Sequence, residues 1–139
     1  MHLATKKVAR KNIEEFLMEM KGILSNTNFD IDRDFYFTVD REKDDPNDEC
    51  SNKNTMLALG YDTSDIVREL KTLSVQEYTE SMVDTVSKDM NFWHVFGRKI
   101  QNKDVYIKVR IKQRKHGNSF VFCISFHFAR HIIADFPYK

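Results

Sequence analysis

The hydrophobic pattern of this sequence changes its period near residue 92, and this change is the feature that most constrains the fold. Helical spacing precedes that point, whereas apolar and polar side chains alternate from 92 to 128, as they do in half-buried β-strands. The polar positions of one alternating segment are Tyr106, Lys108, Arg110 and Lys112. The next alternating segment carries His127 and follows a turn around Gly117. The two segments therefore predict an antiparallel hairpin.

The register of this hairpin can be predicted, because residues directly opposite each other point to the same face. Matching apolar residues gives the pairs Val105–Phe128, Ile107–Phe126, Val109–Ile124 and Ile111–Phe122. The polar pairs are then Tyr106–His127, Lys108–Ser125, Arg110–Cys123 and Lys112–Val121. A tyrosine, a histidine and a row of cations are therefore predicted to share one face.

The preceding strand, predicted over 92–100, leaves the position of His94 open. It joins the hairpin through Gln101-Asn102-Lys103. A three-residue loop or a bulge would set His94 opposite Arg110 on the polar face, whereas a two-residue loop would set it on the apolar face.

The first half of the chain predicts helices. Apolar residues from Ile13 to Leu24 recur at helical spacing and predict a helix that begins at Asn12, and a second helix is predicted over 62–73. The segment 74–77 is a capping-box pattern that predicts the start of a third helix.

Two further segments complete the predicted organisation. Residues 35–39 predict a strand, and the charged segment 40–54, which contains Pro46, predicts a flexible acidic loop. The length of 139 residues suits one domain. The sequence thus predicts a small single α+β domain over 1–139, with N-terminal helices packed on a C-terminal antiparallel β-sheet.

Composition and charge distribution narrow the class of protein. Two cysteines are too few for the disulfide framework of a small secreted domain, and no apolar run is long enough to span a bilayer, so a cytoplasmic protein with no membrane partner is expected. Nine acidic and three basic residues lie between Asp30 and Glu49, whereas eight basic and one acidic lie between Arg98 and Lys115. This asymmetry indicates a surface that faces a polyanion.

RNA is the predicted polyanion. Cations at alternate strand positions lie about 7 Å apart, close to the phosphate spacing of an extended single strand. The alternative is that these cations form only the solvated side of a half-covered sheet. The predicted RNA contacts are Lys108, Arg110, Lys112, Arg98 and Lys99.

Histidine and tyrosine on the same face add acid–base chemistry. Metal-free RNA cleavage needs a base for the 2′-hydroxyl, an acid for the leaving 5′-oxygen and positive charge at the phosphate. His94 and His127 are candidates for proton transfer, and Tyr106 for a hydrogen bond or proton to the phosphoryl group. His127 and His131 could form a metal pair, but no third ligand stands at a matching spacing, so neither a metal site nor a cofactor is predicted.

Four runs of sequence resemble the MqsR (motility quorum-sensing regulator) family of toxin ribonucleases. The runs are LSVQEYTESM over 73–82, FWH over 92–94, VYIKV over 105–109 and VFCISFH over 121–127. With the N-terminal helix in keeping, the resemblance covers roughly residues 56–127. It implies a RelE-like α+β fold, metal-independent cleavage of messenger RNA and neutralisation by a cognate protein antitoxin.

The resemblance also implies roles for single residues. Tyr106 falls on the active-site tyrosine of the family, His94 on a functional glutamine, and His127 and Glu80 on two lysines. Glu80 is therefore a candidate general base, the alternative being an exposed helix glutamate. The acidic segment 40–54 and the tail 129–139 lie outside the usual pattern of the family.

The sequence thus predicts a toxin-type endoribonuclease that cleaves single-stranded messenger RNA by 2′-hydroxyl attack. The alternative is a regulatory domain of the same fold that binds RNA or a protein partner without catalysis.

Overall fold

A single mixed β-sheet organises the residues that the computed structural model describes, which are 3–39, 45–84 and 92–139. The strand order is β1-β3-β4-β5-β6-β2, and all neighbours are antiparallel except the parallel pair β2 and β6. The strands are β1 Leu3–Lys6, β2 Phe35–Phe37, β3 Tyr78–Asp84, β4 Trp93–Ile100, β5 Lys103–Lys112 and β6 Phe120–Phe128.

Helices cover one face of this sheet, which we call the inner face. They are α1 Arg10–Leu24, α2 Ile31–Asp34, α3 Asn52–Leu59 and α4 Thr63–Lys71. Apolar residues of α1 and α4, among them Ile13 and Leu70, share one buried core with Ile107 and Phe96 of the sheet. The predicted α+β class, with helices packed on a mainly antiparallel sheet, is confirmed.

The boundaries of the helices differ from the prediction at two points. Helix α1 begins at Arg10 after Ala9, with no side-chain cap, and not at Asn12. The capping box at Ser74 and Glu77 forms, but it opens only a 3₁₀ turn, so the predicted third helix is wrong. The chain enters β3 instead, because Tyr78 is fully buried in the inner core and pairs with β4. Strand β1 was not predicted.

The predicted acidic loop 40–54 is only partly described, because 40–44 lie outside the described residues. Residues 45–51 form turns, and α3 begins at Asn52, so the loop ends earlier than the predicted residue 54. The Asn54 side chain donates to the carbonyl oxygens of Pro46 and Asp48, at 3.0 and 2.9 Å. These bonds hold the described turns against α3.

Half of the predicted hairpin register is confirmed. Tyr106 lies opposite His127 and Lys108 opposite Ser125 as predicted, but a β-bulge at Ile124 then shifts the pairing. The pairs beyond the bulge are Val109–Cys123, Arg110–Phe122, Ile111–Val121 and Lys112–Phe120. The predicted pairs Val109–Ile124, Arg110–Cys123, Ile111–Phe122 and Lys112–Val121 are therefore wrong. The shift reverses the alternation of side chains in β6 on the N-terminal side of Ile124. Phe120 and Phe122 therefore lie on the outer face, the face opposite the helices.

The side chain of Asn52 stabilises this bulge. Its amide nitrogen donates to the carbonyl of Ile124 at 3.0 Å, and its oxygen accepts from the backbone of Phe126 at 3.0 Å. Asn52 is only 4% exposed, so these bonds satisfy backbone groups that would otherwise be buried without partners. Helix α3 therefore supplies hydrogen bonds to the part of the β6 edge that does not pair with β2.

Arg98 joins the sheet to the helical layer, contrary to its predicted role in RNA binding. Its guanidinium donates to both carboxylate oxygens of Glu77 at 2.8 Å, to Glu69 at 3.0 Å and to the carbonyl of Thr72 at 2.7 Å. The side chain is 15% exposed. These partners occupy its donors, so Arg98 is a structural cation.

The C-terminal segment 129–139, which we call the strap, crosses the outer face of the sheet without regular secondary structure. The backbone N–H of Ala129 donates to the carbonyl of Asp104 at 2.8 Å. Over β4 the strap comes so close that a Cβ on Gly97 would lie 3.0 Å from Ile133 and 3.2 Å from Phe136. A larger residue at this position would require the side chains of the strap to move by a few tenths of an ångström.

We predict that Arg98→Ala lowers the free energy of unfolding by about 3 kcal/mol, because it leaves two partly buried carboxylates without their cation. The neighbouring cation Lys99 is exposed, so Lys99→Ala should change stability by no more than about 0.5 kcal/mol. Urea unfolding of the two variants tests the contrast. Equal stability of both would mean that the Arg98 ion pairs add nothing to the fold.

Candidate functional site

Three of the predicted catalytic residues line one cleft on the outer face. Glu80 from β3, Tyr106 from β5 and His127 from β6 border a space of about 480 Å³, and the strap forms its other wall through residues 129–135. Three strands and a separate segment therefore converge on this cleft. The cleft brings together a carboxylate, a phenol and an imidazole.

The rings of Tyr106 and His127 are stacked in this cleft. Their centroids lie 5.2 Å apart and their planes differ by 15°. The Nδ1 atom of His127 lies 2.9 Å from the carbonyl oxygen of Phe128, and because a carbonyl only accepts, Nδ1 carries the proton of the neutral ring. Nε2 is then the basic nitrogen of His127.

The position of Glu80 depends on a second β-bulge. The register of β3 against β4 shifts between Tyr78 and Glu80. Tyr78 and Ser81 consequently both lie on the inner face, three residues apart, and Glu80 turns outward. Glu80 is thus a strand residue, and the alternative of an exposed helix glutamate is wrong.

The environment of Tyr106 keeps its hydroxyl protonated. Burial raises the pKa of Tyr106 above its usual value, and the nearby carboxylate of Glu80 raises it further. A phenol in this state donates a hydrogen bond at neutral pH. Tyr106 is therefore suited to bind a negatively charged oxygen.

Cations and aromatic rings alternate on the outer face beyond the cleft. Lys108 and Arg110 lie over the ring of Trp93, at 5.9 and 5.0 Å from its centroid, and Lys112 lies 5.5 Å from the centroid of Phe122. We call these five residues the aromatic–cationic face. Two of its members, Trp93 and Phe122, were not predicted. The bulge at Ile124 that turns Phe122 to the outer face leaves no local signal, and the face of Trp93 depends on the register of β4 against β5, which the sequence left open.

The remaining predicted cations occupy different environments. Lys99 of β4 is exposed and lies on the outer face, as Gly97 does. There it borders a second cleft together with Phe136 of the strap. Arg98 points to the inner face and into its carboxylate cluster. Of this adjacent pair, only Lys99 is available to a ligand on the outer face.

His94 lies on the inner face, away from the cleft. The turn before β5 has two residues, Gln101 and Asn102, both with positive φ, so His94 pairs with Val109. His94 is 8% exposed, and its Nδ1 is 2.7 Å from Ser81 Oγ. Of the two positions that the sequence left open, the structure therefore has the one that a two-residue loop gives, on the apolar face and away from Tyr106 and His127.

A buried hydrogen-bond chain explains why a histidine is tolerated there. The backbone N–H of Val8 donates to the Tyr78 hydroxyl at 3.0 Å, and that hydroxyl is 2.7 Å from Ser81 Oγ. Ser81 links the chain to His94. Burial lowers the pKa of His94 from 6.5 to about 4, so the ring is neutral at physiological pH.

The strap adds a residue that was not predicted as part of a catalytic site. His131 lines the same cleft as Glu80, Tyr106 and His127. Its segment lacks hydrophobic period, so the sequence gives no indication of where its side chains lie.

The described ranges contain neither a metal-ligand cluster nor a membrane-spanning helix. There, no three His, Cys, Asp or Glu side chains are grouped so that they could hold a metal ion. None of the helices in those ranges combines the length and apolar character needed to cross a bilayer.

The fold and cleft define a small single-sheet α+β protein that presents titratable side chains beside an aromatic–cationic sheet face. The family model described as "Motility quorum-sensing regulator, toxin of MqsA" matches residues 43–128, more than half of the chain. The chain therefore belongs to the MqsR toxin family, the toxin members of toxin–antitoxin pairs. No curated protein and no solved structure matches it significantly.

The burial of His94 predicts a pH dependence of stability. Between pH 6.5 and about 4 the unfolded chain binds a proton at His94 that the folded chain does not, so stability falls as the pH falls through this window. The loss at pH 4 relative to pH 7 should be about 3 kcal/mol. In His94→Gln, which can still accept from Ser81 but does not titrate, this component should vanish. Identical pH dependence of unfolding in both proteins would contradict the assignment.

Proposed function

We propose that this toxin is a metal-independent endoribonuclease that cleaves single-stranded messenger RNA and is neutralised by a cognate protein antitoxin. The observation that carries the proposal is the convergence of Glu80, Tyr106 and His127 on one cleft, two residues along β5 from the aromatic–cationic face. Membership of the MqsR toxin family supports it independently.

The chemistry begins at the 2′-hydroxyl next to the scissile phosphate. His127 accepts its proton at Nε2, the 2′-oxygen attacks phosphorus, and the bond from phosphorus to the 5′-oxygen breaks. The products carry a 2′,3′-cyclic phosphate and a 5′-hydroxyl. The hydrogen bond from Nδ1 to the Phe128 carbonyl supports this role, because it stabilises the imidazolium that forms.

Tyr106 binds the phosphoryl oxygen on which charge develops. Its raised pKa keeps the donor protonated, and its stacking on His127 fixes the ring. Glu80 is the rival base, since its carboxylate lies close enough to Tyr106 to affect the pKa of the phenol. If Glu80 accepts the proton, Glu80→Gln rather than His127→Ala removes the acidic limb of the pH–rate profile.

The aromatic–cationic face binds the RNA that leads into the cleft. Lys108, Arg110 and Lys112 alternate along β5 on the side of Tyr106, about 7 Å apart. Trp93 and Phe122 lie between them and provide rings on which bases stack. Phosphate contacts and stacking together suit single strands and require no base pairing.

We predict that His127→Ala and Tyr106→Phe each lower the rate of RNA cleavage by at least about tenfold. Tyr106→Phe removes the hydroxyl but keeps the stacked ring. The measurement is single-turnover cleavage of a defined RNA in EDTA, with the product ends mapped.

His94→Gln is the matched control for these variants, because it alters a histidine on the opposite face and should leave cleavage at neutral pH unchanged. Full activity in both His127→Ala and Tyr106→Phe would remove this cleft from consideration. Binding of RNA without cleavage by the unaltered protein would favour the alternative of a non-catalytic RNA-binding domain.

The aromatic–cationic face predicts a salt dependence. Lys108→Ala, Arg110→Ala and Lys112→Ala should each weaken RNA binding and reduce the slope of log affinity against log salt by roughly one ion. Lys11→Ala on α1 removes the same charge from an exposed site on the helical side and is the control. An unchanged slope in the three sheet variants would mean that these side chains contact something other than phosphate.

A further inference from the structure

The proposed reaction leaves one proton unassigned. The 5′-oxygen that leaves phosphorus must gain a proton, and the sequence suggested a second histidine, His94, for one of the two proton transfers. The structure places His94 on the inner face under α1, where its ring contacts Phe16 at 4.3 Å between centroids. The cleft therefore needs another acid.

The strap supplies a candidate for this acid, His131. It borders the cleft together with Glu80, Tyr106 and His127, and its side chain is exposed to solvent. It makes no hydrogen bond or ion pair within the described part of the chain. Its imidazole is thus accessible to a ligand in the cleft.

The strap is fastened on both sides of His131. On one side Arg130 forms a bidentate ion pair with Asp48, with distances of 3.0 and 2.6 Å. The Arg130 guanidinium lowers the pKa of Asp48, which keeps the pair ionised near neutral pH. On the other side Asp135 pairs with Lys7.

The end of the strap is anchored in the core. The ring of Tyr138 stacks on buried Tyr78 at 5.7 Å between centroids, and its hydroxyl donates to the carbonyl of Val8. Ile133 and Phe136 fill the space over Gly97. These contacts fix the backbone of the strap on both sides of His131.

We propose that His131 is the general acid of the RNA cleavage reaction, delivered to the cleft by the strap from outside the segment that the family model matches. The inference rests on the proposed ribonuclease function. In the step, the P–O5′ bond breaks, the 5′-oxygen takes the proton of the His131 imidazolium, and His127 holds the proton from the 2′-hydroxyl. Solvent then restores both protonation states.

The charged surroundings of His131 come from several segments. The ionisable neighbours of His131 in the cleft are Glu80, Tyr106, His127 and Asp135. Those on the other side of the strap are Glu49, Lys103, Asp104 and Arg130. Because several ionisable groups surround His131, a pH profile alone would not identify the acid. The test therefore changes the leaving group.

The experiment compares an ordinary RNA with one that carries sulfur in place of the bridging 5′-oxygen at the cleavage site. A thiolate leaves without a proton, so the loss of a general acid matters only for the ordinary RNA. We expect His131→Ala to lower cleavage of the ordinary RNA by at least about 100-fold, and cleavage of the sulfur-containing RNA by less than about threefold.

Two variants provide the controls in the same assay. His127→Ala should slow both substrates, because a base is still needed, and His116→Ala, at an exposed position in the hairpin turn, should slow neither. If His131→Ala retains full activity on ordinary RNA, or loses activity equally on both substrates, His131 is not the acid. If cleavage still depends on His127 in either case, the proposed ribonuclease function is retained. If the unaltered protein cleaves neither substrate, that function is wrong as well.

Discussion

The strict alternation of side chains along a β-strand is the constraint on which the outer face depends, and two bulges interrupt it. The bulge after Tyr78 turns Glu80 outward while Ser81 stays inside. The bulge at Ile124 allows His127 and Phe122, which are an odd number of residues apart, to share the outer face. Without these interruptions the carboxylate and the aromatic ring would lie under the helices.

Tyr78 connects the inner face of the sheet to the strap on the outer face. Its hydroxyl accepts from Val8 and continues through Ser81 to His94, and its ring supports Tyr138 at the end of the strap. Tyr78 does not line the cleft, yet it aligns the N-terminal segment and two strands and anchors the wall of the cleft. Buried, fully bonded networks of this kind fix one arrangement, because a displaced member would lose its partner in a medium without water.

Periodicity was sufficient to predict the α+β class, the hairpin of β5 and β6 and the pairing of Tyr106 with His127. It could not locate the bulge at Ile124, because that irregularity is stabilised by Asn52, which is 72 residues away in the sequence. Arg98 has the same charge as Lys99 beside it, and only the tertiary position of Glu69 and Glu77 separates a structural cation from an exposed one. The strap escaped prediction for a related reason, since its side chains follow no period and its anchors are distant.

The length of the turn at Gln101 and Asn102 determines which side chains of β4 face the cleft. Because side chains alternate, one inserted residue in this turn would exchange the faces of β4. His94 would then enter the cleft side, and Gly97 would leave the place where the strap crosses. A change in loop length, with no substitution of a polar residue, could therefore alter which imidazole reaches a substrate and whether the wall of the cleft can close over it.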